Sequence, residues 1–229
     1  MARYLIHAIP ERMWYVNDFL IQSMVNQGIA RENIEVYCDN DKEGNLKAFR
    51  KSVENTECDY WHLQDDVLIS TKFKAITEKH DKGIVCGFCS CYSNTMPIGK
   101  VDAQYMWYSF PCIRIPKEIM DEFLSWLDGE ALTIPTYARW INAGKYDDSL
   151  FMEFVRTKHS KMQILNLKPN IVEHVDYLIG GSIVNAQRTS RKACSIYWEE
   201  PKAVSQLEAQ LMQKGDWVCM NAFTAVKRL

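Results

Sequence analysis

The sequence predicts an α/β fold in which helices flank a mostly parallel central sheet within a single globular domain. Short segments rich in β-branched and aromatic residues alternate with segments of helical periodicity across residues 1–75. This alternation is typical of strand–helix–strand units with right-handed crossovers. The chain has 229 residues, of which 47% are hydrophobic and 24% charged, so it can bury one sizeable core. Polar residues also follow three successive predicted strands.

The first strand–helix unit is predicted from residues 3–9, a β-rich segment that ends at Pro10. Apolar residues then recur at helical spacing until Gly28 ends the pattern. These residues are Met13, Val16, Leu20 and Met24. A strand followed by a helix is therefore expected at the start of the chain.

The second unit begins with a predicted strand at residues 34–38 and turns through the polar residues 39–44. A helix is expected over residues 46–55, because Leu46, Phe49 and Val53 lie on one helical face. The third strand lies in the segment 60–73, which Asp65 and Asp66 interrupt.

The pattern changes in the second half of the chain. Residues 83–88 predict a short strand, and residues 105–116 are β-rich but contain prolines, which favour edge strands. Helices are expected over residues 117–127 and from Asp147 onward, and a last core strand over residues 162–167. We expect a domain over residues 1–185 with halves of about 1–75 and 76–185, followed by an extension over 186–229 that contains a packing helix.

Composition names no partner and predicts a protein that stays in the cytoplasm. The net charge of −2 provides no strong field toward nucleic acid or an anionic membrane. No apolar run approaches the about 18 to 20 residues of a membrane-spanning helix, and residues 1–10 lack the features of a signal peptide. Eight cysteines in a chain of this size favour reduced thiols. The C-x2-C pair Cys86 and Cys89 lacks a second half that would complete a zinc site.

Three predicted strand ends share one edge of the sheet. Pro10 and Arg12 follow the first strand, Asp39 the second, and Asp65 with Asp66 the third. Ligands of parallel α/β sheets bind at the carboxyl ends of the strands. Two adjacent carboxylates at a buried strand end are costly, and a divalent cation with its phosphate cargo commonly offsets that cost. The sequence therefore indicates a candidate metal–nucleotide site.

The order of these features resembles the GT-A class of nucleotide-sugar glycosyltransferases, of the family 2 type that also occurs in phages. The resemblance covers residues 3–185 and includes Asp147 with Asp148 and the segment 169–174. It implies a GT-A fold, which is Rossmann-like, and transfer of a sugar from a nucleotide donor, with a UDP-sugar as the leading candidate. The acceptor group would be a hydroxyl. The identity of the acceptor molecule stays open, and a modified DNA base is one class. Apolar spacing in the C-terminal tail separately allows a helix that packs on the domain or forms a homodimer with a second subunit.

The resemblance further implies residue roles. Asp66 and His174 would hold Mn²⁺ or Mg²⁺, and Asp147 or Asp148 would act as the general base. Donor contacts would come from Pro10, Arg12, Asp39 and Asp65. Gln64 stands where the family usually has the first acid of its D-x-D motif, and some relatives neutralise the donor diphosphate with basic side chains instead.

Other interpretations stay open at this stage. Asp147 and Asp148 precede a helix, where acids often serve only as caps. His174 could be a hydrogen-bonded core histidine. A nucleotidyltransferase shares this kind of core but usually has a glycine-rich phosphate loop, which residues 8–12 lack. A third interpretation is a non-catalytic module that binds a nucleotide-sugar.

Overall fold

The protein has the expected α/β fold, built on one mixed sheet. The computed structural model describes residues 2–54, 56–88, 99–103 and 110–179. Their strands form a seven-stranded sheet, in the order β2-β1-β3-β7-β5-β8-β6, and a two-stranded sheet of β4 and β9. The strands are β1 (Tyr4–Ala8), β2 (Ile34–Cys38), β3 (Tyr60–Gln64), β4 (Val67–Ile69), β5 (Val85–Cys86), β6 (Gly99–Asp102), β7 (Cys112–Ile115), β8 (Gln163–Asn166) and β9 (Val172–His174).

The helices lie on both faces of the large sheet. A 3₁₀ turn at Pro10–Arg12 leads into α1, and a π-helical turn at Val16–Leu20 joins α1 to α2. The α-helices are α1 (Met13–Tyr15), α2 (Ile21–Asn26), α3 (Asn45–Val53), α4 (Phe73–Lys79), α5 (Lys117–Asp128), α6 (Pro135–Asn142), α7 (Asp147–Lys158) and α8 (Asp176–Ile179). No helix in the described part of the chain is both long and apolar enough to cross a membrane.

The first three long strands form the predicted parallel unit. β1 lies between β2 and β3 and pairs in parallel with both, with Ala8 opposite Cys38 and His7 opposite Gln64. Their carboxyl ends therefore meet at one edge of the sheet. The predicted helix at the second crossover is confirmed as α3, which buries its apolar face through Leu46, Phe49 and Val53.

The second half of the sheet is mixed. β5 pairs in parallel with β8, whereas β3–β7, β5–β7 and β6–β8 are antiparallel. The expectation that residues 105–116 supply only edge strands is wrong, because β7 lies between β3 and β5. Pro111 and Pro116 flank β7, so their missing N–H groups fall outside its ladder. The Pro111 carbonyl even accepts a hydrogen bond from the Gln64 amide at 3.2 Å.

The segment that contains the two acids is not one strand. β3 ends at Gln64, Asp65 and Asp66 form a turn, and β4 leaves the large sheet to pair with β9. In this antiparallel pair Val67 lies opposite His174. We call β4 and β9 together the β4–β9 ribbon. Through this pairing, β9 lies close to the carboxyl end of β3.

Two apolar layers sandwich the large sheet, because alternate strand residues face opposite sides. Tyr4 and Ile6 of β1 face the layer with α1, α2, α4 and the ribbon. Leu5 faces the layer with α3, α5 and α7. Helices α5 and α7 and strand β8 confirm their predicted positions, whereas β6 and α6 were not predicted.

Several expectations lie outside the described residues. They concern the extension over residues 186–229 with its packing helix, and the cysteine pair around Cys89. Among the described cysteines, Cys86 and Cys112 are buried within strands.

Candidate functional site

The turn after β3 is tied to the end of β1. Asp65 is 4% exposed, and its Oδ2 accepts a hydrogen bond from the Ile9 amide at 2.9 Å. Asp66 is 5% exposed, and its backbone carbonyl accepts a bond from the Val175 amide at 2.8 Å. Backbone contacts from two distant segments therefore fix both acids at the carboxyl edge of the sheet.

Arg12 bridges the two carboxylates. Its Nη1 donates to Asp65 Oδ1 at 2.7 Å and to Asp66 Oδ2 at 2.6 Å, and Arg12 itself is 6% exposed. Pro10 is exposed and starts the 3₁₀ turn that carries Arg12, a position for which its ring is preorganised. Tyr15, one helical turn further on, donates its hydroxyl to the Val67 carbonyl at 2.9 Å. The segment after β1 thus forms hydrogen bonds with both carboxylates of the acidic turn and with the backbone that follows it.

The two carboxylates differ in their electrostatic environments. Burial, reinforced by the charge of Asp66, raises the pKa of Asp65 to about 6 although Arg12 opposes the shift. Burial also acts to raise the pKa of Asp66, but His174 and Arg12 outweigh it and hold that pKa below its usual range. Asp66 therefore stays ionised to a lower pH than Asp65 does.

His174, which the resemblance implied as a second metal ligand, lies beside Asp66 and pairs with it. Its Nε2 lies 3.2 Å from Asp66 Oδ1, and its Nδ1 lies 3.2 Å from Asp176 Oδ1. Burial acts to lower the pKa of His174, yet Asp66 and Asp176 raise it to about 10. These contacts are ion pairs rather than aligned hydrogen bonds. Asp176 was missed by the sequence analysis, although its place two residues after His174 was the available signal.

Asp66 and His174, the predicted ligands of a cation, are paired with each other, and Asp66 is also paired with Arg12. Arg12 binds both carboxylates of the turn, and His174 Nε2 lies 3.2 Å from Asp66 Oδ1. In the described ranges, no group of three or more His, Cys, Asp or Glu side chains is arranged to hold a metal ion. The positive charge beside Asp65 and Asp66 comes from Arg12 and His174.

Asp39 lies at the neighbouring strand end. Its amide donates to the Ala8 carbonyl at 2.8 Å, so the turn after β2 starts against the end of β1. The side chain is 7% exposed, and its Oδ1 accepts from the Glu43 amide at 3.3 Å. The structure thus places Asp39 on the predicted edge, where it also caps its own turn.

The predicted base candidates lie at the start of α7. Asp147 is 7% exposed and its Oδ1 accepts a hydrogen bond from Asn45 Nδ2 at the start of α3. Burial, then the charge of Asp148, raises the pKa of Asp147 to about 7. Asp148 is half-buried, and its Oδ1 accepts from the Ser149 amide at 2.7 Å and lies 3.2 Å from the Ser149 hydroxyl. The structure therefore bonds Asp147 to α3 and Asp148 to its neighbour Ser149.

Two histidines below the strand ends, the buried His62 and the half-buried His7, were missed by the sequence analysis. His7 Nε2 on β1 lies 3.1 Å from His62 Nδ1 on β3, and His7 Nδ1 lies 3.1 Å from Ser52 Oγ. Ser52 donates its proton to the Phe49 carbonyl at 2.6 Å, so it accepts from His7 Nδ1–H. His7 Nε2 then accepts from His62 Nδ1–H. Burial lowers the pKa of His7 to about 4 and, with His7 adding to the effect, lowers that of His62 well below its usual value.

The aromatic residues of the middle segment belong mostly to the core. Phe110 and Trp126 are buried in the layer with α3, α5 and α7. Tyr137 packs on Trp126 with ring centroids 5.6 Å apart, and Trp140 packs on Tyr137 at 5.8 Å. These rings therefore pack within the core layer or against its edge.

Comparison of the sequence with models of known protein families gives no match, and no curated protein matches it significantly.

Proposed function

We propose that this chain is a glycosyltransferase that binds a nucleotide-sugar at the carboxyl edge of β2, β1 and β3 and transfers the sugar to an acceptor hydroxyl. One observation carries the proposal. The turns after β2 and β3 are both bonded to the end of β1, through the Asp39 amide and through Asp65. Buried carboxylates from two crossover units therefore converge where open α/β sheets bind nucleotides.

Departure of a nucleoside diphosphate requires positive charge at this edge. The leaving group accumulates negative charge, which fixed cations stabilise where it develops. Arg12 and His174 are the cations held beside Asp65 and Asp66. The requirement for Mn²⁺ or Mg²⁺ stays a prediction from the resemblance, and a donor-binding experiment with and without metal tests it.

Asp148 is the carboxylate that we assign to the acceptor. Loss of the acceptor proton to a carboxylate within hydrogen-bond reach contributes roughly 10² to 10⁴ in rate. Asp148 is more accessible than Asp147, which is almost fully buried against Asn45. The acceptor class stays open between hydroxyl-bearing DNA bases and small soluble alcohols.

Donor binding is tested by thermal unfolding with nucleoside diphosphates and nucleotide-sugars, each with and without Mn²⁺. A true donor at a hundredfold excess over its dissociation constant stabilises the wild type by about 2.7 kcal/mol. Asp65→Asn should lose most of this stabilisation. Asp121→Asn, which removes an exposed carboxylate paired with Lys117 on α5, should keep it. If no nucleotide stabilises the wild type under any condition, the proposal fails.

The reaction products separate the alternatives. A glycosyltransferase releases a nucleoside diphosphate when an acceptor hydroxyl is added, whereas a nucleotidyltransferase given a nucleoside triphosphate and a sugar phosphate releases pyrophosphate. Donor binding without either release would identify a non-catalytic binding module.

A further inference from the structure

The loop between β2 and α3, residues 39–44, is held at both of its ends. At its start the Asp39 amide bonds to β1, and Lys42 forms an ion pair with Glu11, the neighbour of Arg12. At its end the loop meets the segment that enters α7. The loop therefore spans the carboxyl edge of the sheet from the Arg12 region to the start of α7.

The contact with α7 is built on two glycines. The Leu46 amide donates to the Gly144 carbonyl at 3.0 Å. A Cβ on Gly44 would lie 2.6 Å from that carbonyl oxygen, and a Cβ on Gly144 would lie 3.0 Å from the Glu43 carbonyl oxygen. Both glycines have positive φ, 101° and 66°. Only residues without a Cβ allow these backbones to approach so closely.

Asp147 adds a side-chain bond to this backbone contact. It follows Tyr146, a non-glycine residue with a φ of 65°, so the chain adopts a costly conformation just before the helix. The Asp147 carboxyl group is buried and accepts the bond from Asn45, the first residue of α3. A buried carboxyl group bonded to the residue that directly follows the loop is arranged to hold the end of that loop and is poorly placed to meet an acceptor.

We propose that Asp147 is a positioning residue that latches the 39–44 loop to α7 and thereby holds Asp39 in place for the donor. Asp148 is then the acid left for the chemistry. This inference rests on the proposed function for its effect on donor binding, but the latch itself is a property of the fold that can be measured without a donor.

The test compares Asp147→Ala, Asp147→Asn and Asn45→Ala by amide hydrogen exchange and by steady-state kinetics. Asp147→Ala and Asn45→Ala each remove the hydrogen bond from Asn45 Nδ2 to Asp147 Oδ1. Loss of such a bond changes an equilibrium constant by roughly tenfold. We expect faster exchange of the Glu43 and Leu46 amides by about that factor, a similar rise in donor KM, and kcat within about twofold. The Asn side chain at position 147 can still accept from Asn45, so Asp147→Asn should restore both values. Circular dichroism checks that each variant is folded.

Asp148→Asn is the matched comparison, and it should lower kcat by roughly 10² or more without changing exchange of the loop amides. A loss of kcat in Asp147→Asn at unchanged donor KM would make Asp147 the base and overturn the inference. Unchanged loop exchange in both Asp147→Ala and Asn45→Ala would also overturn it. If the wild type binds no nucleotide, the proposed function fails, while the exchange data still decide whether the latch exists.

Discussion

Arg12 is the single residue on which the charge balance of the acidic turn depends. One guanidinium nitrogen contacts both Asp65 and Asp66, and all three side chains are less than a tenth exposed. Removing one partner of a buried ion pair leaves an uncompensated charge, which costs far more than the pair contributes.

Replacing Arg12 should therefore be costly for stability. We expect Arg12→Ala to lower the free energy of unfolding by about 3 to 5 kcal/mol, measured by urea denaturation. Arg50→Ala is the control, because it removes an ion pair with Asp128 whose side chains are 32% and 61% exposed. That change should cost about 1 kcal/mol or less. Equal losses in the two variants would contradict the role assigned to Arg12.

At the scale of elements, helices and strands were predicted most accurately in segments whose apolar spacing indicates which residues are buried. Helices α3, α5 and α7 and the strands of the parallel unit fall where their apolar spacing placed them. The β4–β9 ribbon was not predictable in this way. Its two strands are three residues each and far apart in sequence, so their pairing depends on the surrounding core.

Gly87 joins β7 to the segment that leads into the ribbon. Its amide donates to the Cys112 carbonyl at 2.8 Å, and its carbonyl accepts from the Ile171 amide at 2.9 Å. A Cβ at this position would lie 2.7 Å from Cys112 Sγ and 2.9 Å from Ile171 Cγ1. The close packing of these elements therefore requires the absence of a side chain.

Gly87→Ala should overpack this junction and lower the free energy of unfolding by about 1 to 3 kcal/mol. In a Cys112→Ala background the nearest obstructing atom is gone, so the same change should cost less. The measurement is a double-mutant cycle by chemical denaturation. Additive losses would show that the Cys112 side chain is not the obstruction.

At the scale of the whole molecule, buried neutral histidines couple stability to pH. The folded-state pKa values of His7 and His62 lie below the unfolded value, so the unfolded chain takes up protons first as pH falls. The stability that depends on these two histidines being neutral is fully present above about pH 6.5 and is lost as pH falls toward about 4. Asp147 has the opposite sign, because its raised pKa contributes stability at low pH that is lost as pH rises toward about 7.

The two contributions are separated by substitution. In Asp147→Asn, the opposing contribution of this acid is absent, so lowering the pH from 7 to 5 should reduce the free energy of unfolding more steeply than in the wild type. Adding His62→Gln to that variant should reduce the loss of unfolding free energy between pH 7 and pH 5 by about 2 kcal/mol. Adding His159→Gln, at a partly exposed histidine, is the control. An equal slope with either added substitution would contradict the role of the buried pair.

The sequence by itself determined the class of fold, the parallel unit and the presence of polar residues at three strand ends. These features follow from local periodicity and from the rule that parallel strands end at one edge. Only the tertiary structure decided the position of β7 inside the sheet, the ion pair of His174 with Asp66 and the contact of His7 with His62. It also decided that Arg12 occupies the space between Asp65 and Asp66. Such contacts join residues far apart in sequence, and they form because burial and charge compensation favour them across the whole core, which local spacing does not report.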